Sequence, residues 1–120
     1  MIKIGRKIID ENSPTYFIAD IASNHDGKLE RAKKLIELAK EAGADAAKFQ
    51  NFHADRIVSD FGFSQMKGKS EHQAAWKKSV YETYEDCTVP EVWTKELKRH
   101  CDKVKIEYMS SPYDVDAVNH

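Results

Sequence analysis

A strand, a helix and a second strand follow one another within the first 50 residues, and this order constrains the fold more than any other feature. Residues 15–23, TYFIADIAS, are rich in β-branched and aromatic side chains and too short for a buried helix, so they predict a core strand. Residues 46–50, AAKFQ, predict a second short strand. With tight connections the three elements make a βαβ unit, in which the two strands lie parallel.

The segment between these two strands predicts an amphipathic helix. Asp26 is placed to cap its amino end, and Gly43 supplies a left-handed residue at its carboxyl end. The apolar positions recur at helical spacing: Leu29, Ala32, Leu35, Ile36 and Ala39. The helix therefore has one apolar face to bury against the strands.

The second half of the chain repeats this order. After Pro90, which the first turn of a helix tolerates, an apolar stripe predicts a second crossover helix. The stripe consists of Val92, Trp93, Leu97 and Cys101. Residues 106–110 predict a third strand that ends at Ser111-Pro112, and residues 114–120 predict the first turns of a further helix. Residues 51–88 show a weaker pattern and predict a long, partly helical excursion.

Three strand–helix units in succession fit two architectures, an open doubly wound sheet or the opening part of a TIM (β/α)₈ barrel. No G-x-G-x-x-G or P-loop sequence follows a predicted strand, so the nucleotide-binding form of the open sheet lacks its usual signature. The strands are followed instead by the polar clusters NHDG, NFHAD and SPYD. Barrels keep their chemistry at this carboxyl end of the strands, and the clusters therefore favour the barrel.

Composition limits the classes of partner. The 120 residues carry a formal net charge of −1 with both signs interspersed, which predicts neither a nucleic-acid nor a membrane-surface patch and favours a small-molecule partner. No stretch approaches the roughly 18 apolar residues of a membrane span, and the amino terminus has no signal-peptide pattern, so we expect a cytoplasmic protein. Cys87 and Cys101 lack metal-type spacing and are expected to be ordinary thiols.

A lysine and a glutamine interrupt the second predicted strand. Side chains alternate across a strand, so Lys48 and Gln50 lie on one face. A lysine on a covered sheet face is costly unless it meets an anion or lies near the open strand end. A phosphate or carboxylate ligand would supply that anion, but so would a structural carboxylate such as Asp20, and the spacing alone leaves both open.

The other polar residues near the strand ends are also ambiguous. Alternation places Asp20 with Ala22 and Asn24 on one face of the first strand, which predicts a buried carboxylate that is either structural or catalytic. His25, beside a helix start, fits a structural hydrogen bond better than a metal ligand. Ser110 and Ser111 precede a predicted helix amino terminus, where they would either cap the helix or bind an anion.

Three segments in this order resemble one enzyme family. They are IADIASNHDG, which runs from the first strand into the loop after it, GADAAKFQ at the second strand, and SSPYD at the third. Together they resemble the opening of the sialic acid synthase family, the phosphoenolpyruvate-dependent N-acetylneuraminate, legionaminate and pseudaminate synthases. Residues 72–86 also resemble an insertion that some members carry. The resemblance therefore implies that residues 1–120 are the N-terminal portion of a TIM barrel, with an insertion at about 51–88.

The resemblance implies a transferase of carbohydrate biosynthesis. The enzyme would condense phosphoenolpyruvate with the open-chain form of an N-acyl amino sugar, of the N-acetylmannosamine type, and release phosphate. It also implies a divalent metal, manganese or magnesium, whose ligands lie on later strands outside this chain, and a homodimer for the full-length enzyme. A complete barrel needs roughly 200 residues or more, so we expect the 120-residue chain alone to be inactive.

The resemblance also implies roles for individual residues. Lys48 would contact phosphoenolpyruvate, and Gln50 the sugar. Asp20 matches a position near the sugar hydroxyls where the family usually has glutamate, and Ser111 matches a hydroxyl position at the phosphate. The matching loop residues, Asn24 and His25, are expected only in the floor or hydrogen-bond network of the site.

Two alternatives stay open at the level of sequence. Another phosphoenolpyruvate-using aldolase-like barrel, of the keto-deoxy-octulosonate phosphate synthase type, would share the chemistry but differ in its strand motifs. A non-catalytic assembly module built from the first βα units would share the fold without the chemistry.

Overall fold

The computed structural model describes residues 1–66 and 75–120. An antiparallel hairpin comes first, and a three-stranded sheet with helices follows. The strands are β1 (Ile2–Ile4), β2 (Lys7–Ile9), β3 (Ile18–Ala22), β4 (Ala46–Asn51) and β5 (Glu107–Pro112). The helices are α1 (Leu29–Glu41), α2 (Ala54–Ile57), α3 (Asp60–Gln65), α4 (Val80–Asp86), α5 (Glu91–Val104) and α6 (Val115–Asn119).

The strands β3, β4 and β5 form a parallel sheet in that order, as the βαβ pattern predicts. In the register, Asp20 lies opposite Lys48, and Gln50 lies opposite Ser111. The pairing of β3 with β4 shifts between Asp20 and Ala22, and Ala22 has a left-handed φ of 51°. The prediction that Ala22 and Asn24 continue the face of Asp20 is therefore wrong, because a bulge breaks the alternation.

The helices α1 and α5 cover one face of this sheet. The core that they form contains Phe49, Ile36 and Leu97, all fully buried. Burying each such side chain contributes about 1.5–3 kcal/mol. The helix-covered face therefore carries most of the apolar burial in the described residues.

The predicted helical faces are mostly correct. Ala32, Ile36 and Ala39 of α1 are buried, and Gly43 follows the helix with φ +87°. The prediction that Asp26 caps α1 is wrong: the N-cap residue is Lys28, and Asp26 forms an ion pair with Arg31. Asp26 lies two residues before the N-cap and has a left-handed backbone, with φ 49°.

The second crossover helix, α5, and the strand that follows it, β5, each differ from the prediction at one point. Leu97 and Cys101 of α5 are buried as expected, but Val92 is largely exposed, while its neighbour Trp93 packs against the core. The third strand does not end at Ser111-Pro112 but continues through both residues. The strand continues because β4 is equally long and pairs up to Asn51 opposite Pro112.

The stretch 51–88, predicted as a partly helical excursion, contains α2, α3 and α4, and its residues 67–74 lie outside the described residues. Ala54, Val58 and Val80 form a second buried cluster there, apart from the core under the sheet. Ser79 and Glu82 form a reciprocal capping box at the start of α4. This excursion therefore has a small apolar core of its own.

The amino-terminal hairpin was not predicted. The Nζ of Lys7 on β2 contacts the carboxylate of Asp45, whose other oxygen accepts the backbone N–H of Phe17 at 2.8 Å. Gly5 turns between β1 and β2 with φ +56°, and a Cβ at this position would clash with the Glu107 carboxylate. The hairpin therefore lies at the amino ends of the parallel strands. No helix in residues 1–66 or 75–120 is long and apolar enough to cross a membrane.

Candidate functional site

Four predicted site residues lie together on the sheet face that α1 and α5 leave uncovered. Lys48 and Gln50 share this face of β4 because they are two residues apart. Asp20 on β3 lies directly opposite Lys48, and Ser111 on β5 directly opposite Gln50. Neighbouring strands are about 4.8 Å apart, so the four side chains form one polar group across three strands. We call this group the front-face cluster.

The prediction that Asp20 is a buried carboxylate is wrong in this structure. Its side chain is 56% exposed. The prediction assumed that both faces of a parallel sheet are covered, whereas the front face of these three strands has no helix on it among the described residues. Asp20 therefore keeps much of its hydration, and its desolvation cost is small.

Lys48 has an ion-pair partner within the cluster. Its Nζ lies 3.5 Å from Oδ2 of Asp20, and its side chain is 32% exposed. Strand spacing alone left open whether Lys48 meets a ligand anion or a structural carboxylate such as Asp20. In the structure the anion beside Lys48 is Asp20. The contact is longer than a good charge-assisted hydrogen bond and is partly solvated, so it contributes little to stability. An incoming anion can therefore compete for the ammonium group.

The side chains of Gln50 and Ser111 are free to make hydrogen bonds to a ligand. Both are partly buried, and neither side chain has a hydrogen-bond partner within the described ranges. The neighbouring Ser110 differs, because it lies on the opposite face and donates its hydroxyl hydrogen to Oδ1 of Asn51. The amide and the hydroxyl of the front-face cluster thus remain free for a ligand, together with the ammonium of Lys48.

The two serines do not stand at a helix amino terminus, as the sequence suggested. They belong to β5, and α6 begins at Val115 with Asp114 as its N-cap. Oδ1 of Asp114 accepts the backbone N–H of Ala117 at 2.8 Å. Free helical N–H groups therefore do not adjoin Ser110 and Ser111, and Ser111 can offer an anion only its side-chain hydroxyl.

The loop after β3 contains the two remaining predicted residues. Nδ2 of Asn24 donates to the carbonyl of Ile21 at 2.9 Å, which closes the turn. His25 is completely buried, and its ring makes a T-shaped contact with Trp93, with 5.3 Å between the ring centroids. Its Nδ1 accepts the N–H of Gly27 at 3.1 Å. Both residues therefore shape the loop, and His25 does so from the helix-covered side.

Burial lowers the pKa of His25 below its ordinary value, against the smaller opposing influences of the Cys87 backbone carbonyl and Asp26. The neutral ring fits the contact with Gly27, because an acceptor nitrogen carries no proton. Burial likewise raises the pKa of Cys101 to about 12, so this cysteine is an ordinary protonated thiol, and both cysteines are free.

No group of three or more His, Cys, Asp or Glu side chains in residues 1–66 and 75–120 is arranged to hold a metal ion. The front-face cluster offers a single carboxylate. A divalent ion needs more oxygen or nitrogen ligands than this. The described residues therefore do not fit a metal centre, although they fit an anion.

A cavity of about 520 Å³ opens at the other end of the sheet, near the hairpin. Arg6, Lys40 and Lys105 line it together with Asp45 and Glu107, so both signs of charge are present. We place the candidate site at the front-face cluster instead, because parallel α/β folds carry their chemistry towards the carboxyl ends of the strands.

Sequence reasoning missed two contacts near the loops that flank the cluster. Arg56 on α2 contacts Asp114 and Asp116, which links the excursion to the turn after β5. The sequence offered no signal for this pair, because some sixty residues separate the partners. Trp93 was predicted as part of the core stripe, but its contact with His25 was not.

Comparisons with known proteins show what the chain is similar to. Residues 35–120 match the family model described as the NeuB family. The chain is 33% identical over 112 residues to the spore coat polysaccharide biosynthesis protein SpsE of Bacillus subtilis, covering 93% of this chain and 29% of that protein. It is 35% identical over 108 residues to the N,N'-diacetyllegionaminic acid synthase of Campylobacter jejuni, covering 88% of this chain and 31% of that protein.

The fold also has a solved counterpart. The crystal structure of N-acetylneuraminic acid synthetase from Leptospira borgpetersenii, in complex with citrate, aligns with a TM-score of 0.78 at 24% identity, covering 98% of this chain and 36% of that one. The predicted α/β fold, an N-terminal part of a TIM-barrel-type fold with three βα units, is thereby confirmed. The chain spans about 30% of the length of these curated relatives.

Proposed function

The chain belongs to the NeuB family, and on this premise we propose that it contributes the phosphoenolpyruvate-binding face of a nonulosonic acid synthase. In the proposed reaction the methylene carbon, C3, of phosphoenolpyruvate forms a carbon–carbon bond with the aldehyde carbon of an open-chain N-acyl amino sugar, and the aldehyde oxygen takes up a proton. Water adds at C2, the C2–O bond to phosphate breaks, and inorganic phosphate leaves as C2 becomes the keto carbon of the product.

The observation that carries this proposal is the shared face of Lys48 and Ser111. One strand apart, an ammonium and a free hydroxyl lie on the same side of the sheet. Phosphoenolpyruvate has a carboxylate and a phosphate, and both anions suit charge-assisted hydrogen bonds of this kind. Lys48 would hold the anion in exchange for its long contact with Asp20, and Ser111 would donate to a phosphate oxygen.

The acceptor sugar is assigned to the other two members of the cluster. The amide of Gln50 can both donate and accept, which suits sugar hydroxyls and an N-acyl group. The exposed carboxylate of Asp20 can accept from sugar hydroxyls. Asn24 and His25 take no direct part and keep the loop beside Asp20 in its shape.

The remaining expectations belong to the whole synthase. We propose that a divalent metal, Mn²⁺ or Mg²⁺, would polarise the sugar aldehyde. Residues 1–66 and 75–120 offer no cluster of ligands for it. We also propose that the synthase acts as a homodimer in the cytoplasm. The family match favours this reaction over the keto-deoxy-octulosonate phosphate type and over an assembly module.

A titration of the isotope-labelled chain with phosphoenolpyruvate tests the proposal. The backbone and side-chain resonances of Lys48 and Ser111 should shift together and saturate, with smaller shifts at Gln50. N-acetylmannosamine added afterwards should shift Gln50 and Asp20. The proposal fails if phosphoenolpyruvate shifts none of these resonances, or if it shifts only residues around Arg6 and Lys105 in the cavity at the other end of the sheet.

A further inference from the structure

Arg56 joins two parts of the molecule that are distant in sequence. It lies on α2 in the excursion, and its Nη1 donates to Oδ2 of Asp116 at 2.7 Å. The same nitrogen lies 3.3 Å from Oδ2 of Asp114. Both carboxylates belong to the turn and the first residues of α6 that follow β5. One guanidinium thus holds two acidic residues of this turn.

Asp114 is the more enclosed of the two partners. Its side chain is 11% exposed, whereas that of Asp116 is 63% exposed. The N–H of Ala117 lowers the pKa of Asp114 most, and Arg56 and His53 lower it further. Its two oxygens therefore serve two purposes, because one caps α6 and the other faces Arg56.

Two further contacts tie the same turn to the start of the excursion. The N–H of Tyr113 donates to the carbonyl of Asn51 at 3.1 Å, which continues the pairing of β4 and β5. The ring of Tyr113 packs edge-on against Phe52, with 5.8 Å between the ring centroids. The turn that Arg56 contacts therefore begins directly after Ser111 and Pro112, the last two residues of β5.

Arg56 is a poor anion receptor in its own right. Two carboxylates within 3.3 Å already outweigh its single positive charge, so the local charge is negative. Their presence also raises the pKa of Arg56, chiefly through the bond to Asp116. A phosphate or carboxylate ligand would have to displace a side chain of its own sign to reach the guanidinium.

We propose that Arg56 is a positioning residue for the front-face cluster: by holding Asp114 and Asp116 it fixes the turn after β5 and so the orientation of the Ser111 hydroxyl. The functional part of this inference rests on the proposed function, since Ser111 matters only if an anion binds there. In this inference the excursion influences the front-face cluster through the ion pairs of Arg56 with Asp114 and Asp116. The apolar core of the excursion is a separate cluster.

The test compares Arg56→Gln and Arg56→Lys with Arg99→Gln. Arg99 is a matched control because it forms an exposed ion pair with Glu96 on α5, away from this turn. In Arg56→Gln the pKa of Asp114, followed by carbon-13 NMR of its carboxyl group, should rise towards its ordinary 3.8. The amide resonances of residues 111–117 should shift, and those of β3 and α1 should not. Arg56→Lys should restore the pKa in part, because it keeps the charge but not the geometry.

The same variants are then titrated with phosphoenolpyruvate. We expect Arg56→Gln to weaken the phosphoenolpyruvate-dependent shift of Ser111 by about threefold to tenfold in affinity, while Lys48 still responds, because a neutral hydrogen bond contributes about that much. The Arg99→Gln variant should bind as the unmodified chain does. An unchanged Asp114 titration with unchanged resonances at 111–117 would overturn the inference, and so would shifts spread evenly over the whole chain.

If the unmodified chain does not bind phosphoenolpyruvate, the proposed function fails, and with it the functional part of this inference. The Asp114 titration still decides whether Arg56 holds the turn.

Discussion

The two faces of the three-stranded sheet differ in what covers them. On the helix-covered face, Ala47 and Phe49 of β4 are fully buried against α1 and α5. On the front face, the alternate residues Lys48 and Gln50 of the same strand remain partly exposed. Adjacent residues of β4 thus experience opposite environments. One face supplies the packing that holds the chain together, and the other carries the groups that can bind a ligand.

The two faces also differ in their charged groups. The front face has the ion pair of Lys48 and Asp20, both in contact with water. The covered side has the fully buried ring of His25, which is kept neutral by its surroundings. Substitutions on the covered side should therefore change stability, and substitutions on the front face should change binding.

The largest expected difference is between Phe49→Ala and Gln50→Ala, two neighbouring positions on opposite faces. Phe49 is fully buried and stacks on Tyr108, so its truncation leaves a cavity and should cost about 3–5 kcal/mol. Gln50→Ala removes a partly exposed amide and should stay within about 0.5 kcal/mol. Urea unfolding followed by circular dichroism measures both. Similar losses for the two variants would show that the faces do not differ as described.

A second difference concerns pH and the covered side. Because burial holds the pKa of His25 below 6.5, the stabilisation by its neutral ring is complete above that pH and is lost as the pH falls from 6.5 towards the pKa of the folded state. One proton contributes a slope of at most about 1.4 kcal/mol per pH unit. Unfolding free energies measured between about pH 7 and pH 5 should show this loss, and His25→Gln should remove that part of the slope. An identical slope in the variant would assign the loss to other groups.

The smallest expected effect is on the front face. Asp20→Asn removes the carboxylate that lies 3.5 Å from Lys48 and should change stability by less than about 1 kcal/mol, because the pair is partly solvated. Thermal melting of the variant beside the unmodified chain measures the change. A loss of several kcal/mol would mean that the pair is structural and that the front face also holds the fold together.

The elements with strong local signals could be predicted from the sequence. The difference between the two faces of the sheet explains why. The β4 alternation that separates Lys48 from Phe49, the apolar face of α1 and the parallel order of the strands all follow from side-chain periodicity. Periodicity is a local property, and it is strongest where one face is buried.

The features that were missed depend on non-local contacts. The bulge after Asp20 breaks the alternation, and the exposure of Asp20 depends on what covers the front face. The contact of Arg56 with Asp116 joins residues sixty positions apart. The roles of Lys48, Gln50 and Ser111 came from a family resemblance and remain proposals, because residue spacing alone does not distinguish a ligand from a structural carboxylate.

The most direct measurement is made on a single variant, Lys48→Met, with phosphoenolpyruvate affinity and melting temperature determined on the same sample. Methionine keeps most of the apolar stem and removes the charge, and Lys34→Met on the exposed side of α1 is the matched control. We expect the affinity for phosphoenolpyruvate to fall by at least about tenfold, at an unchanged or raised melting temperature, because the ammonium serves the ligand and its pair with Asp20 contributes little. A large fall in melting temperature with near-normal affinity would contradict the account, since Lys48 would then serve only to neutralise Asp20.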